Sequence, residues 1–331
     1  MNGDRLKAAF LGSKIRIAAT ALGVVVVALG AAVALGVFGV PAVESVDNRF
    51  GDVNDTTTVV VTDLTVSNPN PVGTGFLDAS ATYTVRMNDV RMAAGERGSL
   101  ALSPGRNELR LETYMDNRRI PDWWVTHIRN GERTDVAIDA RIRSGTLGQG
   151  VTIQRGRTIN TSMIERFNST ETREIEGDSP LSDGPVLYVN ETSGRWGNVT
   201  EAETPVNTAF VAYNPENVPY TVTQIRYEIT MNGITVGEGT SDREYIIEPR
   251  TTEEIRTRTA IRNENLDEWW VSHLRNDERT ELRIEFAATI EVEDPTSITG
   301  DTVSLDVPLD AITHEETIET DILGSGNETS G

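Results

Sequence analysis

The twelve residues WWVTHIRNGERT at 123–134 return as WWVSHLRNDERT at 269–280, identical at nine of twelve positions and offset by 146. The same offset relates Asn68-Pro69 to Asn214-Pro215, and YTVRMND from Tyr83 matches YEITMNG from Tyr227 at an offset of 144. A period this long is that of tandem domains; solenoid repeats run about 20–50 residues. The chain is therefore expected to build one architecture twice. Copy one is read as 55–178, a linker as 179–185, copy two as 186–323 and a polar tail as 324–331.

Within each copy the apolar residues alternate. Ala79, Ala81, Tyr83, Val85 and Met87 are interleaved with polar residues, as are Ile225, Tyr227, Ile229 and Met231. Val136, Ile138, Ala140 and Ile142 repeat the pattern, and Leu282, Ile284, Phe286 and Ala288 answer them in copy two. Strict period-2 alternation predicts strands with one dry and one wet face. Asn232-Gly233 predicts a type I′ hairpin, because both central residues must take positive φ. Short strands with turn signals at regular spacing predict an all-β chain of two tandem immunoglobulin- or fibronectin-III-like antiparallel β-sandwiches.

The duplicated WW segment breaks that rhythm. Trp124, His127 and Ile128 fall at i, i+3 and i+4, and Trp270, His273 and Leu274 repeat the spacing, so one short helix is expected in each copy. Asp122, Asp267 and Glu268 suit the positive helix start, and Arg129 and Arg275 its end. Asn130-Gly131 reads as a left-handed stop. So short a helix cannot persist alone in water, which assigns the tryptophans to pinning it on the sheets.

From Ile17 to Val40, 24 residues carry no charge. At 1.5 Å per residue they make about 36 Å of helix, against a hydrocarbon core of about 30 Å. Arg5, Lys7, Lys14 and Arg16 precede the stretch, while Glu44, Asp47 and Asp52 follow it with Arg49 opposing. The positive-inside rule keeps 1–16 cytoplasmic, makes 17–40 a single-pass anchor and puts both copies outside the cell membrane. A cleaved signal peptide is the rival reading, with Val40-Pro41-Ala42-Val43-Glu44 a poor cleavage match. Six Asn-x-Ser/Thr sequons, at Asn54, Asn160, Asn168, Asn190, Asn198 and Asn327, fall on the outer side as candidate N-glycosylation sites.

The formal net charge of −21 excludes a nucleic-acid partner, since a phosphate backbone is held by clustered Lys and Arg. Of the 30 basic residues only Lys7 and Lys14 are lysine, a composition that resembles proteins of extreme halophiles. Molar salt shortens the Debye length to about 3 Å and screens such a surface from itself. With no cysteine there is no disulfide, thiolate nucleophile or Cys-ligated zinc.

A strand ending in Asn68-Pro69-Asn70-Pro71, a tyrosine-bearing strand, a Gly-Glu step and a WW helix together resemble the late-embryogenesis-abundant type 2 domain, also called WHy for water stress and hypersensitive response. Copy two shows the motif as Asn214-Pro215-Glu216-Asn217, then Tyr227 to Gly233, then Gly237-Glu238-Gly239. It lacks the second proline, and copy one has Asp89 where copy two has Gly233. The resemblance spans 55–323. It implies a sandwich of about seven strands with one helix, no catalysis, no cofactor, and a role in desiccation, osmotic or salt stress. For some members it also implies a groove that accommodates lipid.

The motif residues Asn68, Pro69, Asn70, Pro71, Tyr83, Trp123, Trp124, His127, Asn214, Pro215, Tyr227, Trp269, Trp270 and His273 read as structural. His127 and His273 have no second histidine nearby in sequence, so packing outweighs ligation or base catalysis, and core anchoring outweighs a sugar or lipid platform for the tryptophans. No G-x-S-x-G, P-loop, H-E-x-x-H or G-x-G-x-x-G is present, and Asp178 to Asp183 lack EF-hand spacing for calcium. No catalytic, cofactor or metal residue is assigned. The expectation is a non-enzymatic, envelope-anchored protective protein whose partners are the membrane and a lipid or envelope protein. The alternative is a lipid- or partner-binding module using a groove between the WW helix and its sandwich.

Overall fold

The computed structural model describes residues 42–75, 78–98, 101–146, 148, 150–176, 184–241, 243–293 and 301–320. The stretch 17–40 and the sequon at Asn327 lie outside them; among the described residues no helix is long and apolar enough to cross a membrane. By their contacts the described residues form two compact units. One holds the residues up to Asn160 with Trp270–Arg279 and those from Glu319 on; the other holds Thr161–Trp269 with Thr280–Ile318.

The first unit is a single antiparallel sheet in the order β1-β2-β5-β4-β3-β6-β7. Its strands are β1 (Ala42–Val53), β2 (Thr57–Asn68), β3 (Ala79–Met87), β4 (Val90–Arg97), β5 (Gly105–Asp116), β6 (Arg133–Ser144) and β7 (Gly150–Asn160), with helix α1 (Ile120–Arg129) between β5 and β6. The join between β5 and β4 is one residue pair, Ala93 with Met115, so the sheet is two pairing groups that touch at one point. Val61, Leu64 and Val66 of one group and Ala81, Val136, Ile138 and Ala140 of the other are buried. That is the alternation expected for β6, while in β3 Ala79, Ala81 and Met87 are buried and Tyr83 and Val85 are half-buried like Thr84 and Arg86.

The second unit repeats these groups as separate sheets. One runs β14-β10-β9-β8 and the other β12-β11-β15-β16, with β13 on β11 and β17 on β15. The strands are β8 (Arg173–Ile175), β9 (Leu187–Trp196), β10 (Glu203–Tyr213), β11 (Tyr220–Met231), β12 (Ile234–Ser241), β13 (Tyr245–Ile247), β14 (Thr252–Arg262), β15 (Arg279–Glu293), β16 (Thr302–Pro308) and β17 (His314–Glu319). Helix α2 (Leu266–Arg275) precedes β15. One hydrophobic cluster draws Val189, Phe210 and Ile255 from the first sheet and Ile225, Phe286, Ile290 and Val307 from the second. Phe210 and Phe286 meet edge to face at 5.0 Å between ring centroids, the arrangement aromatic quadrupoles favour.

Both hairpins use the same turn. Asn232 and Gly233 take φ of 52° and 74°, and Asn88 and Asp89 take 46° and 66°, so Asp89 adopts the left-handed geometry without a glycine. Each Asn ties its turn down. Asn88 Oδ1 accepts the Asp135 N–H at 2.7 Å, and Asn232 Oδ1 accepts the Glu281 N–H at 2.8 Å.

Two boundaries differ from the sequence reading. β1 precedes residue 55, yet it pairs with β2 from Ala42–Ser67 to Val53–Thr58. At the other end, residues from Thr161 belong to the second unit, because Phe167 is buried there with its ring 6.3 Å from Phe210 and 6.2 Å from Phe286. β8 then pairs with β9, Ile175 opposite Leu187. Residues 179–183 of the expected linker lie outside the described residues. β1 was within reach of the repeat, since Arg49, Gly51 and Val53 return as Arg195, Gly197 and Val199 at the same offset of 146.

Candidate functional site

The duplicated residues converge on a few buried polar constructions, and the WW helix is the largest. A 3₁₀ turn at Asn117–Arg119 leads into α1, with Asp116 Oδ1 accepting the Arg118 N–H at 3.2 Å. Pro121 stands in the first turn, where no amide donor is needed. Ile120, Trp124, Val125, His127 and Ile128 form the buried face, and Leu266, Trp269, Trp270, Val271, His273 and Leu274 do so on α2. The helix stops where Gly131 takes φ 68° and its N–H bonds the Ile128 carbonyl at 3.0 Å. α2 stops without glycine, on Asp277 and Glu278 at φ 53° and 58°.

Each helix is fastened to the next strand through one threonine. The Trp123 indole N–H donates to Thr134 Oγ1 at 2.9 Å, and the Trp269 indole N–H donates to Thr280 Oγ1 at 2.9 Å. Thr134 Oγ1 also lies 2.8 Å from His127 Nδ1. On α2, His273 Nε2 lies 2.9 Å from Thr320 Oγ1, whose hydroxyl donates to Glu278 Oε2 at 3.1 Å. That donation leaves Thr320 as acceptor, so His273 carries its proton on Nε2. Burial pushes both imidazoles down to about 4; at His127 the buried Glu132 carboxylate opposes this without overcoming it. Both histidines are therefore neutral near pH 7.

Within the first unit Trp270 stands edge-on to Trp123, at 6.3 Å and 67° between rings, and its indole N–H donates to Thr58 Oγ1 at 3.3 Å. Trp123 also stacks at a tilt on His127, 5.5 Å away. Trp124, Trp269 and Trp270 are buried and Trp123 is half-buried, so these rings are interior packing and not an exposed platform.

The Asn-Pro motif is a loop clamp. Asn68, fully buried at the end of β2, donates from Nδ2 to the carbonyls of Val72 (3.3 Å) and Ser103 (3.2 Å). Its Oδ1 accepts the Asn70 N–H at 3.1 Å and the Asn70 Nδ2–H at 2.7 Å. Asn214 does the same in copy two, donating to Val218 (2.8 Å) and Ile247 (3.0 Å) and accepting the Glu216 N–H (2.8 Å). Pro69 and Pro215 follow directly and carry no amide donor that would need a partner.

The tyrosines explain the glycines of the motif. Tyr83 pairs across the ladder with Gly95, and Tyr227 with Gly239. Each ring lies over its glycine, where a β-carbon would come within 2.3 Å and 2.8 Å of the ring's atoms. The ring then reaches the neighbouring strand. Tyr83 Oη donates to Thr113 Oγ1 at 3.2 Å, and Tyr227 Oη accepts the Ala260 N–H at 3.0 Å.

A further duplicated pair escaped the sequence reading. Thr58 Oγ1 donates to Asn117 Oδ1 at 2.7 Å and Asn117 Nδ2 donates to the Asn54 carbonyl at 2.8 Å, while Thr204, Asn263 and Thr200 repeat this at 2.8 and 3.0 Å. All are offset by 146, so a residue-by-residue comparison of the copies would have found them.

Of the sequons, Asn54, Asn160, Asn168 and Asn198 are exposed and Asn190 is half-buried. Asn54 Oδ1 already accepts the N–H groups of Thr56 and Thr57 at 3.0 and 2.9 Å. Among the described residues no group of three or more His, Asp or Glu is placed to hold a metal ion, and Asp178 and Asp183 lie outside them.

No curated protein matches the chain. Among solved structures, the crystal structure of a protein from Archaeoglobus fulgidus is similar over 40% of this chain and 98% of its own, at 26% identity and a TM-score of 0.34. The solution structure of a protein from Arabidopsis thaliana is similar over 37% of this chain and 80% of its own, at 14% identity and a TM-score of 0.27. The model of the late embryogenesis abundant protein family matches residues 63–155 and again 210–306, one match on each set of buried clamps. The chain therefore belongs to the late embryogenesis abundant type 2 family, as a tandem of two copies.

Proposed function

We propose that this protein is a non-catalytic protective factor of the cell envelope, tethered by 17–40 with its two copies outside and acting under desiccation, osmotic or salt stress. The observation that carries the reading is the twofold family match on one chain, because membership points to a stress-related, non-enzymatic role. The copies are read at finer grain as WHy-type, immunoglobulin-like sandwiches, an assignment supported by the cluster that both sheets of the second unit share. Support for a salt-adapted setting comes from the charge of −21 and the near absence of lysine. The protective surface is the wet one: acidic side chains hold water and repel neighbouring chains as water activity falls.

The test is a deletion strain complemented with the full chain, followed through drying and abrupt salt shifts. Loss of survival that the full chain restores is the expected result. Equal survival with and without the gene sinks the reading.

A further inference from the structure

Three loops of the first unit meet at one end of its sheet. The pairs Ala42–Ser67, Asn68–Gly105, Ala81–Arg97, Ala79–Ser144 and Arg143–Gly150 place the start of β1, the Asn-Pro loop, the β4–β5 loop and the β6–β7 loop together. They are knitted by Thr74 N–H to the Leu102 carbonyl (2.9 Å), Leu102 N–H to Thr74 Oγ1 (2.8 Å) and Gly145 N–H to the Asp78 carbonyl (2.9 Å).

The composition of this end is unlike the rest of the chain. Its described residues 68–75, 98, 101–105, 144–146, 148 and 150 include no Asp, Glu, Lys or Arg, in a protein of net charge −21. Val72, at 46% exposure, is one of the few large apolar side chains left in water among the described residues. Around the uncharged centre stand Arg97, Arg106, Arg141 and Arg143 with Glu44, Glu96, Glu108 and Asp78, and Arg106 pairs with Glu44 at 3.2 Å. A groove of about 750 Å³ opens among Asp78, Ser80, Arg141, Arg143, Ser144 and Gly145. The sequence of the corresponding loops of copy two is charged instead, with Glu216, Asp242, Glu244, Glu248, Asp294 and Asp301 against Arg243 and Arg250.

Position supplies the occupant. The uncharged stretch ends at Val40, and Ala42 is already paired in β1. Two residues span about 7 Å at most, so a bilayer holding 17–40 lies within that reach of the loop end. In the sequence only Pro41 stands between the two. We propose that this end of the first unit docks on the bilayer in which the chain is anchored, with Val72 entering the interface and the arginine rim meeting anionic headgroups. The unit then stands upright on the membrane, its Asn88-Asp89 turn at the far end of β3. Nine residues at about 3.3 Å each put that turn roughly 30 Å away.

This inference rests on the anchored reading above, and the absence of cysteine makes both testable together. Val72→Cys and Asp89→Cys are each introduced into the full chain, labelled with bimane and reconstituted into phosphatidylcholine vesicles containing phosphatidylglycerol and headgroup-nitroxide lipid. The expected result is quenching at position 72 at least about threefold that at 89, reduced in an Arg141→Gln/Arg143→Gln background. Equal quenching at both positions, or none at either while an alkaline wash leaves the chain on the vesicles, overturns docking and leaves the anchor standing. Release of the chain by the wash overturns the anchor and the docking with it. An unchanged melting transition in each variant excludes misfolding as the cause.

Discussion

His127 and His273 share one position on α1 and α2 and one environment, and both are neutral when folded. An unfolded histidine takes its proton near pH 6.5, whereas these imidazoles, desolvated by burial, take theirs only near 4. Between those values the unfolded state binds more protons, so stability is complete above about pH 6.5 and falls as pH falls. Each histidine removes about 3 kcal/mol over the full interval. Urea titrations from pH 8 to pH 5 are expected to show a flat midpoint above 7 and a steady decline below 6.5. His273→Gln should flatten the decline by about half. A midpoint independent of pH between 6.5 and 5 would show that the rings are solvated. The histidine spacing was legible as a helix face; the threonine partners were not, because Thr134 belongs to the next strand and Thr320 lies 47 residues beyond His273.

At the level of elements, the strands are positioned by glycines that the alternation rule ignores. A β-carbon at Gly237 would stand 2.2 Å from the Ala260 carbonyl oxygen, which is backbone and cannot swing aside. At Gly239 the obstacle is the Tyr227 ring, which can move if it gives up its bond to the Ala260 N–H. Gly237→Ala is therefore expected to cost about 3 kcal/mol or more and Gly239→Ala about 1–2 kcal/mol, measured by denaturant unfolding. The reverse order would mean that the ring, not the strand approach, sets the spacing of β12 and β14. Period-2 alternation located β3, β6, β11 and β15 because half-burial repeats along one strand. It left β1 unmarked, since Glu44, Asp47, Arg49 and Asp52 give an edge strand little apolar signal.

For the whole molecule the governing quantity is the charge of −21, which arginine pairs offset only locally. Exposed pairs such as Arg283–Glu315 at 2.8 Å and Arg279–Glu319 at 3.0 Å contribute little each and weaken with salt. Unpaired carboxylates repel over about 10 Å in 0.1 M salt and about 3 Å in 1 M. Raising KCl from 0.1 to 2 M is therefore expected to lift the melting temperature by at least about 5 °C, roughly 2 kcal/mol for domains of this size. A fall in melting temperature would mean that the ion pairs outweigh the repulsion.

The sequence by itself determined the duplication, the strand and helix periods, the Asn-Gly turn and the acidic surface, because each is a local pattern or a sum over residues. Only the tertiary structure decided what those patterns meet. It brought Asn68 to the Ser103 carbonyl, laid Tyr227 over Gly239, moved 161–176 into the second unit and gathered three uncharged loops beside the start of β1. Periodicity reports which face of an element avoids water. The partner of that face lies on another strand, and register between strands, not local propensity, selects it.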